Sequence, residues 1–194
     1  MSGTDGPGLG LEVTAGLLGA YCALERALFE LTGAAVAAPE ADPEATVLLS
    51  AWSAEHAWHA ELWADRLPVS AAFDSDALVV LAEPLPGLLD ELARAGSLPL
   101  LSGLIRVVLP RLVITYERHL TAASAASDGP VRRALTLVLR DERDQWTVGE
   151  ALLQGVLVDQ AAVAAAGETV VGLERRLVAA GVGAGILPWP GPRA

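Results

Sequence analysis

The sequence predicts an all-α protein, an up-down four-helix bundle with one long crossover and an extra C-terminal helix. Three observations lead there. Apolar residues recur at helical spacing through long segments punctuated by proline, glycine and aspartate. No run alternates as a strand should, and the best candidate, ALVVLA at 77–82, is too short to carry a sheet. Two pairs of long helices are separated by a connection of roughly 30 residues, which a bundle with short loops throughout would not need.

The elements follow in order. A first helix reads from about Leu11 to Gly33, where glycine is a natural stop. The second runs from Pro43 to Leu67, with Asp42 as N-cap, Pro43 at the first helical position and Pro68 as terminator. The short link between them makes an antiparallel hairpin. Residues 68–97 form the crossover, turn-rich in AAFDSDA and AEPLPG, with one short helix over PGLLDELARA at 86–95. A third long helix spans about Pro99 to Ala126 and is expected to kink at Pro110. Asp128-Gly129-Pro130 caps a fourth, running to about Asp159. An alanine-rich fifth segment covers roughly 160–180, and the tail GAGILPWPGPRA cannot be regular. One domain therefore accounts for residues 1–194, its core bundle at about 11–157 and its irregular tail at 181–194.

Composition narrows the function. Apolar residues make up 53% of the 194 and aromatics only 5%, so alanine, leucine and valine do most of the filling. Thirteen basic residues, all arginine, face 24 acids, for a net charge of −11. Such a surface argues against nucleic-acid and anionic-membrane partners. The longest uncharged run, Leu177 to Pro192, is shorter than a membrane span and rich in glycine and proline. The first residues, MSGTDGPGLGLEV, lack the basic start of a secretory signal, so a cytoplasmic protein is expected. The single cysteine, Cys22, excludes a disulfide framework and a cysteine-rich metal site. The high apolar fraction and the fifth helix, which needs a surface to cover, predict a homodimer.

The chemistry lies in glutamates set into apolar stripes. On the first helix, Glu25 shares a face with Leu18, Tyr21 and Leu28, at about 100° of turn per residue. On the second, Glu55 and His59 lie with Leu48, Trp52 and Leu62, opposite a side of small residues that includes Ser53 and Ala60. On the fourth, Glu142 is flanked by Leu135, Val138, Trp146 and Gly149. Glu117, on the third, shares a face with Val113, Ile114 and Leu120, while Leu109, Leu112 and Tyr116 define a competing stripe. Several carboxylates in one core require counter-charge, and a divalent metal pair supplies it. Glutamate oxygens with a few imidazoles suit iron or manganese better than copper or zinc.

The two hairpins echo each other. Leu24-Glu25-Arg26 matches Tyr116-Glu117-Arg118, and Glu55 and Glu142 stand the same distance after Pro43 and Pro130. On these features the chain resembles the ferritin-like superfamily, which includes ferritins, bacterioferritins and di-iron carboxylate oxygenases. The resemblance covers about residues 11–157. It implies that Glu25 and Glu117 are the single glutamate ligands of the first and third helices. Glu55 and Glu142 would open the Glu-x-x-His motifs of the second and fourth. The sequence departs from that pattern, with Trp58 three residues after Glu55 and Gln145 three residues after Glu142. His59, one residue late, is still able to bind, the more so with a local π-bulge. Gln145 offers only a weak amide oxygen, although glutamine does occur at a comparable place in ferritin-type centres.

The expected metal set is therefore Glu25, Glu55, His59, Glu117 and Glu142, with Gln145 in reserve, and the expected cofactor is iron or manganese. The competing reading neutralises the glutamates with Arg26, Arg66, Arg106 or Arg118. His56 and His119 read as ordinary core or surface residues, Cys22 as core, and Tyr21 and Tyr116 as packing able to hydrogen-bond a ligand. Trp52, Trp58 and Trp63 fill the core or line a pocket for a small apolar substrate. Gly6-x-Gly8-x-Gly10 has no strand before it, and Gly181-x-Gly183-x-Gly185 no helix after it, so no nucleotide cofactor is indicated. Two function classes follow: a non-haem di-metal oxidoreductase, with a ferroxidase as its variant, or a metal-free bundle serving as a binding or interaction protein.

Overall fold

A computed structural model describes residues 9–37, 42–70 and 74–189. Among these, every regular element is helical: α1 Leu11–Val36, α2 Pro43–Ala64, α3 Ser75–Leu78, α4 Leu85–Arg94 and α5 Ser97–Gly103 come first. A π-helical turn, Leu104–Val108, leads into α6 Leu109–Ala122, and α7 Gly129–Val156 and α8 Gln160–Ala179 complete the order. The all-α expectation therefore holds. Gly6, Gly8, the 71–73 part of the crossover and the tail beyond 189 lie outside the described residues.

Contact pairs give the helix directions. Cys22 meets Ala60, Glu25 meets His56 and Phe29 meets Ser53, so numbering falls on α2 as it rises on α1. Glu55 meets Gln145 and His59 meets Asp141, so α2 is antiparallel to α7. Arg106 meets Glu150 and Arg132 meets the Leu120 carbonyl, which sets α7 against the third long helix. Tyr21 meets His119 and Glu25 meets Tyr116, closing a ring of four antiparallel neighbours. It follows that α1 runs parallel to α7 and α2 parallel to α6. Two helices joined in sequence can be parallel only if their link climbs back along the bundle. The run Ser97–Ala122 has 26 residues, about 39 Å of helix at 1.5 Å each, and residues 65–96 cover that return. They do so against α1, where Gly19 is indispensable: a Cβ there would lie 2.2 Å from the Leu78 carbonyl oxygen.

Several boundaries move from their sequence-based places. α1 continues through Gly33 to Val36, because Gly33 serves as a contact point and not a stop: a Cβ at Gly33 would sit 3.0 Å from Ser53 Oγ. α2 ends at Ala64, and Asp42 caps it as expected, its carboxylate accepting from the Glu44 and Ala45 amides. Asp128 stands at the N-cap of α7, but its carboxylate makes no cap bond and instead accepts from the Ser124 amide and the Ser127 hydroxyl. The irregularity expected at Pro110 appears one turn earlier, as the π turn at 104–108. α8 lies on α5 through Leu173 and Leu177, so part of its apolar face is covered within the chain. The tail segment 181–189 also folds back: Arg111 donates to the carbonyls of Gly183 and Gly185 and pairs with Glu174, burying Ile186 and Leu187. The run Ser97–Ala122 is apolar and long enough to cross a membrane, yet 72% of its most apolar window is buried inside the bundle.

Candidate metal centre

Four ligand-type side chains meet at mid-height in the bundle. Glu25 comes from α1, His56 and His59 from adjacent positions on one face of α2, and Glu142 from α7. One donor atom from each lies within 4.8 Å of all the others. His56 Nδ1 is 2.7 Å from Glu25 Oε2 and 3.6 Å from Glu142 Oε1. His59 Nδ1 is 3.6 Å from Glu25 Oε2 and 3.2 Å from Glu142 Oε1. All four residues are at 1% exposure or less. Four donors bound at about 2.1 Å around one tetrahedral ion stand about 3.4 Å apart, so these spacings fit a single ion with small adjustment.

The surrounding shell orients this set. Tyr116, from α6, donates its hydroxyl hydrogen to Glu25 Oε1. Asp141 Oδ2 lies 3.3 Å from His59 Nε2. A carboxylate can only accept, so Nε2 carries a proton and Nδ1 is the atom turned toward the two glutamates. Asp141 is partly exposed, which places the shallow side of the centre at the α2–α7 seam.

Electrostatics show what holds the cluster together without an ion. Burial raises the Glu25 carboxyl, but the charges and hydrogen bonds of His59 and His56 outweigh it and bring the group down to about 2. Burial lowers both imidazoles, and Glu25 and Glu142 more than reverse this, lifting His59 to about 11 and His56 above its ordinary value. Glu142 moves the other way: burial and the neighbouring Glu25 charge raise it against the histidines' pull. The pairing is loose. Among the described residues neither Glu142 oxygen nor His59 Nδ1 makes a well-formed hydrogen bond, although Nδ1 lies 3.2 Å from Oε1. A buried carboxylate in that condition is costly, and one donor atom from each of the four side chains faces the others within 4.8 Å.

The structure thus brings together three of the sequence-predicted ligands, Glu25, His59 and Glu142, and adds His56. Glu55 stays at the edge, partly buried and accepting at 2.8 Å from Gln145 Nε2. Gln145 is buried with its Oε1 unpartnered, outside the four-residue set. Glu117 does not converge: it lies near the surface in an ion pair with Arg143, since Tyr116 takes the inward position on α6. The competing stripe through Leu109, Leu112 and Tyr116 is the buried one. α2 remains α-helical throughout, so no bulge delivers His59; its i, i+3 relation to His56 does. Trp146 faces outward, and the three tryptophans do not cluster, for Trp58 is 43% exposed while Trp52 packs beside Gly149 and Trp63 beside Tyr21 and Tyr116.

His56 reads as an ordinary residue in the sequence because the four-glutamate pattern selects Glu55 beside it. The signal was present as His-x-x-His, two imidazoles one turn apart on a helix with a buried face. Comparison with known protein families, with curated proteins and with solved structures found no match to this chain.

Proposed function

We propose that the chain is a ferritin-like, non-haem metalloprotein that holds one iron or manganese ion between Glu25, His56, His59 and Glu142. On this reading it works as an oxidoreductase, with oxygen or peroxide as oxidant. The observation that carries the reading is Glu142: a buried carboxylate with neither oxygen in a well-formed hydrogen bond among the described residues, though Oε1 lies 3.2 Å from His59 Nδ1. An ion pair built for its own sake would have satisfied those atoms. Imidazole nitrogens together with carboxylate oxygens are the donor types that non-haem Fe(II) takes. When bound, such a metal supplies one-electron redox steps and Lewis acidity. The chain's residues hold the site dry, orient His59 through Asp141 and fix Glu25 through Tyr116. The ferritin-like assignment is supported by the helix directions, α1 with α7 and α2 with α6, around one long crossover.

A single ion replaces the expected pair in this proposal, because Glu117 and Glu55 are engaged elsewhere. The metal-free alternative also has an observation in its favour. Two protonated histidines balance two carboxylates, so the cluster can neutralise itself. The test is elemental analysis of protein purified without chelator, followed by anaerobic titration with Fe²⁺, Mn²⁺ and Zn²⁺. Stoichiometric iron or manganese that Glu142→Ala abolishes supports the proposal. Binding of zinc alone would turn it toward a structural or hydrolytic site, and no binding toward the self-neutralised cluster. We extend the proposal to a homodimer, for which the apolar outer face of α2 and α7, with Val47 and Val148 exposed, supplies contact area. Sedimentation showing only monomer at tens of micromolar, roughly, would remove that part.

A further inference from the structure

Beside the metal centre lies a line of aromatic side chains that packing alone does not explain. Tyr116, whose hydroxyl is bound to Glu25, meets Tyr21 edge-on at 4.8 Å between ring centres. The Tyr21 hydroxyl lies 3.1 Å from His119 Nδ1, and the two rings are 5.6 Å apart. The His119 ring is 6.4 Å from that of Trp189, which is only partly buried. Tyr21, Tyr116 and His119 are fully buried. The line therefore runs without a gap from a ligand of the proposed metal to the protein surface. It ends at a cavity of about 360 Å³ that Trp189 lines with Pro188, Leu17 and Ala82.

His119 is the unexplained member. Its Nε2 is buried with no hydrogen-bond partner among the described residues, an expensive state for a residue that serves only as filling. Burial holds the imidazole well below its ordinary value, at about 4 against a weak opposing pull from Asp128, so it is neutral at pH 7. A neutral imidazole facing a phenol is a proton acceptor in place. The phenol itself does not ionise, because burial raises Tyr21 far above its ordinary value despite the Arg118 charge. An oxidised phenol, by contrast, is a strong acid and gives up its proton at once.

We propose that Tyr21 and His119 form a redox-active pair within an aromatic relay that carries single electrons between the metal centre and the surface at Trp189. In the elementary step Tyr21 loses one electron to a one-electron oxidant and its O–H proton moves to His119 Nδ1. The O–H bond breaks, an N–H bond forms, and a neutral tyrosyl radical and an imidazolium result. A one-electron reductant that docks at the Trp189 surface gives the electron back, and the proton returns from His119 Nδ1 to the Tyr21 oxygen. An oxidised iron or manganese ion, if held by Glu25, His56, His59 and Glu142, would be the one-electron oxidant, and to that extent the inference rests on the metal reading.

The experiment does not require the metal. Full-length protein, stripped with chelator, is oxidised by photogenerated ruthenium(III) tris-bipyridine with persulfate as sacrificial acceptor, frozen, and examined by electron paramagnetic resonance. A neutral tyrosyl signal is expected. It should disappear in Tyr21→Phe and fall at least fivefold in His119→Gln, which keeps a hydrogen-bond acceptor but not a base. Trp189→Phe, which keeps an aromatic ring packed on the core and beneath Arg118, should slow radical formation severalfold. Thermal melts of each variant establish that it is folded. No tyrosyl signal in the wild type, a signal of wild-type yield in Tyr21→Phe, or an unchanged yield in His119→Gln each overturns the relay. Metal content is measured in parallel. A Tyr21→Phe protein that binds iron as the wild type does while losing the radical separates the relay from the metal reading, whichever of the two fails.

Discussion

Replacing Glu142 by glutamine keeps the shape of the side chain and removes the charge that the metal reading makes essential. Glu142 supplies one of four donors, and its Oε1 faces the His59 and His56 imidazoles at 3.2 and 3.6 Å. A ligand that binds the native state alone stabilises it by mass action, about 2.7 kcal/mol when free ligand is a hundredfold above its dissociation constant. For a chain of this size each kcal/mol moves the melting midpoint by about 2–4 °C. The wild type should therefore melt about 5–11 °C higher with saturating Fe²⁺ or Mn²⁺ than without. In Glu142→Gln the increment should fall below about 2 °C, since an amide oxygen is a weak donor and the site charge falls by one. The increment is read within each variant by anaerobic scanning calorimetry. Whatever the substitution does to the metal-free fold therefore drops out. The reasoning is refuted if the variant shows the full wild-type increment, for then the metal sits elsewhere.

Other outcomes follow from the same geometry. Binding must displace the protons that Glu25 and Glu142 hold on His56 and His59; affinity should therefore rise with pH, by up to about a hundredfold per unit where both are shed, and calorimetry in buffers of different ionisation heat should count the release. In the metal-free protein His59 is raised to about 11, so its contribution to stability is complete below about 6.5 and fades as pH climbs toward 11. His119 acts in the opposite sense: with its folded value lowered to about 4, stability should drop as pH falls from about 6.5, and His119→Leu should flatten that slope in urea melts. Asp141→Asn should weaken metal binding about 10- to 100-fold while leaving all four donors in place, and an unchanged affinity would remove Asp141 from the centre. Glu117→Gln should leave metal content alone and cost under about 1 kcal/mol, the scale of an exposed ion pair. Gly19→Ala should lower the melting point despite its better helix propensity, because the Leu78 backbone, 2.2 Å from the new Cβ, cannot move aside cheaply.

The architecture was readable because its signals are local or additive. Asp42-Pro43 announces a helix start by supplying a cap and a pre-set φ, and the cap bonds form as expected. The length of the crossover carries topological information, since a link spanning the bundle makes the helices it joins run parallel. Gly33 misled because a glycine inside a hairpin of close helices has two meanings, and only the distance to Ser53 tells them apart. Asp128 misled for a similar reason. Its carboxylate had a choice between the amides ahead of it and the turn behind it, and the turn took it.

The centre was harder to read because membership depends on rotation about a helix axis, and a wheel drifts wherever a helix is irregular. Glu25 and Glu142 lie on regular helices, and their faces are correctly placed. Glu117 follows a π turn, which adds a residue to one turn and rotates everything after it relative to what came before. That rotation suits Tyr116, so the inward position opposite Glu25 holds a hydroxyl donor in place of a fourth carboxylate. The consequence is electrostatic as well as geometric. Four converging glutamates would need two ions, whereas two glutamates and two histidines need one at most, and Tyr116 removes part of the remaining charge by hydrogen bonding to Glu25. The internal echo between the hairpins is thus real in the sequence and broken in space. The same break that turns Glu117 outward places Tyr116 against Glu25 and Tyr21 against Tyr116, so the inward position that a fourth glutamate would fill belongs to the aromatic line.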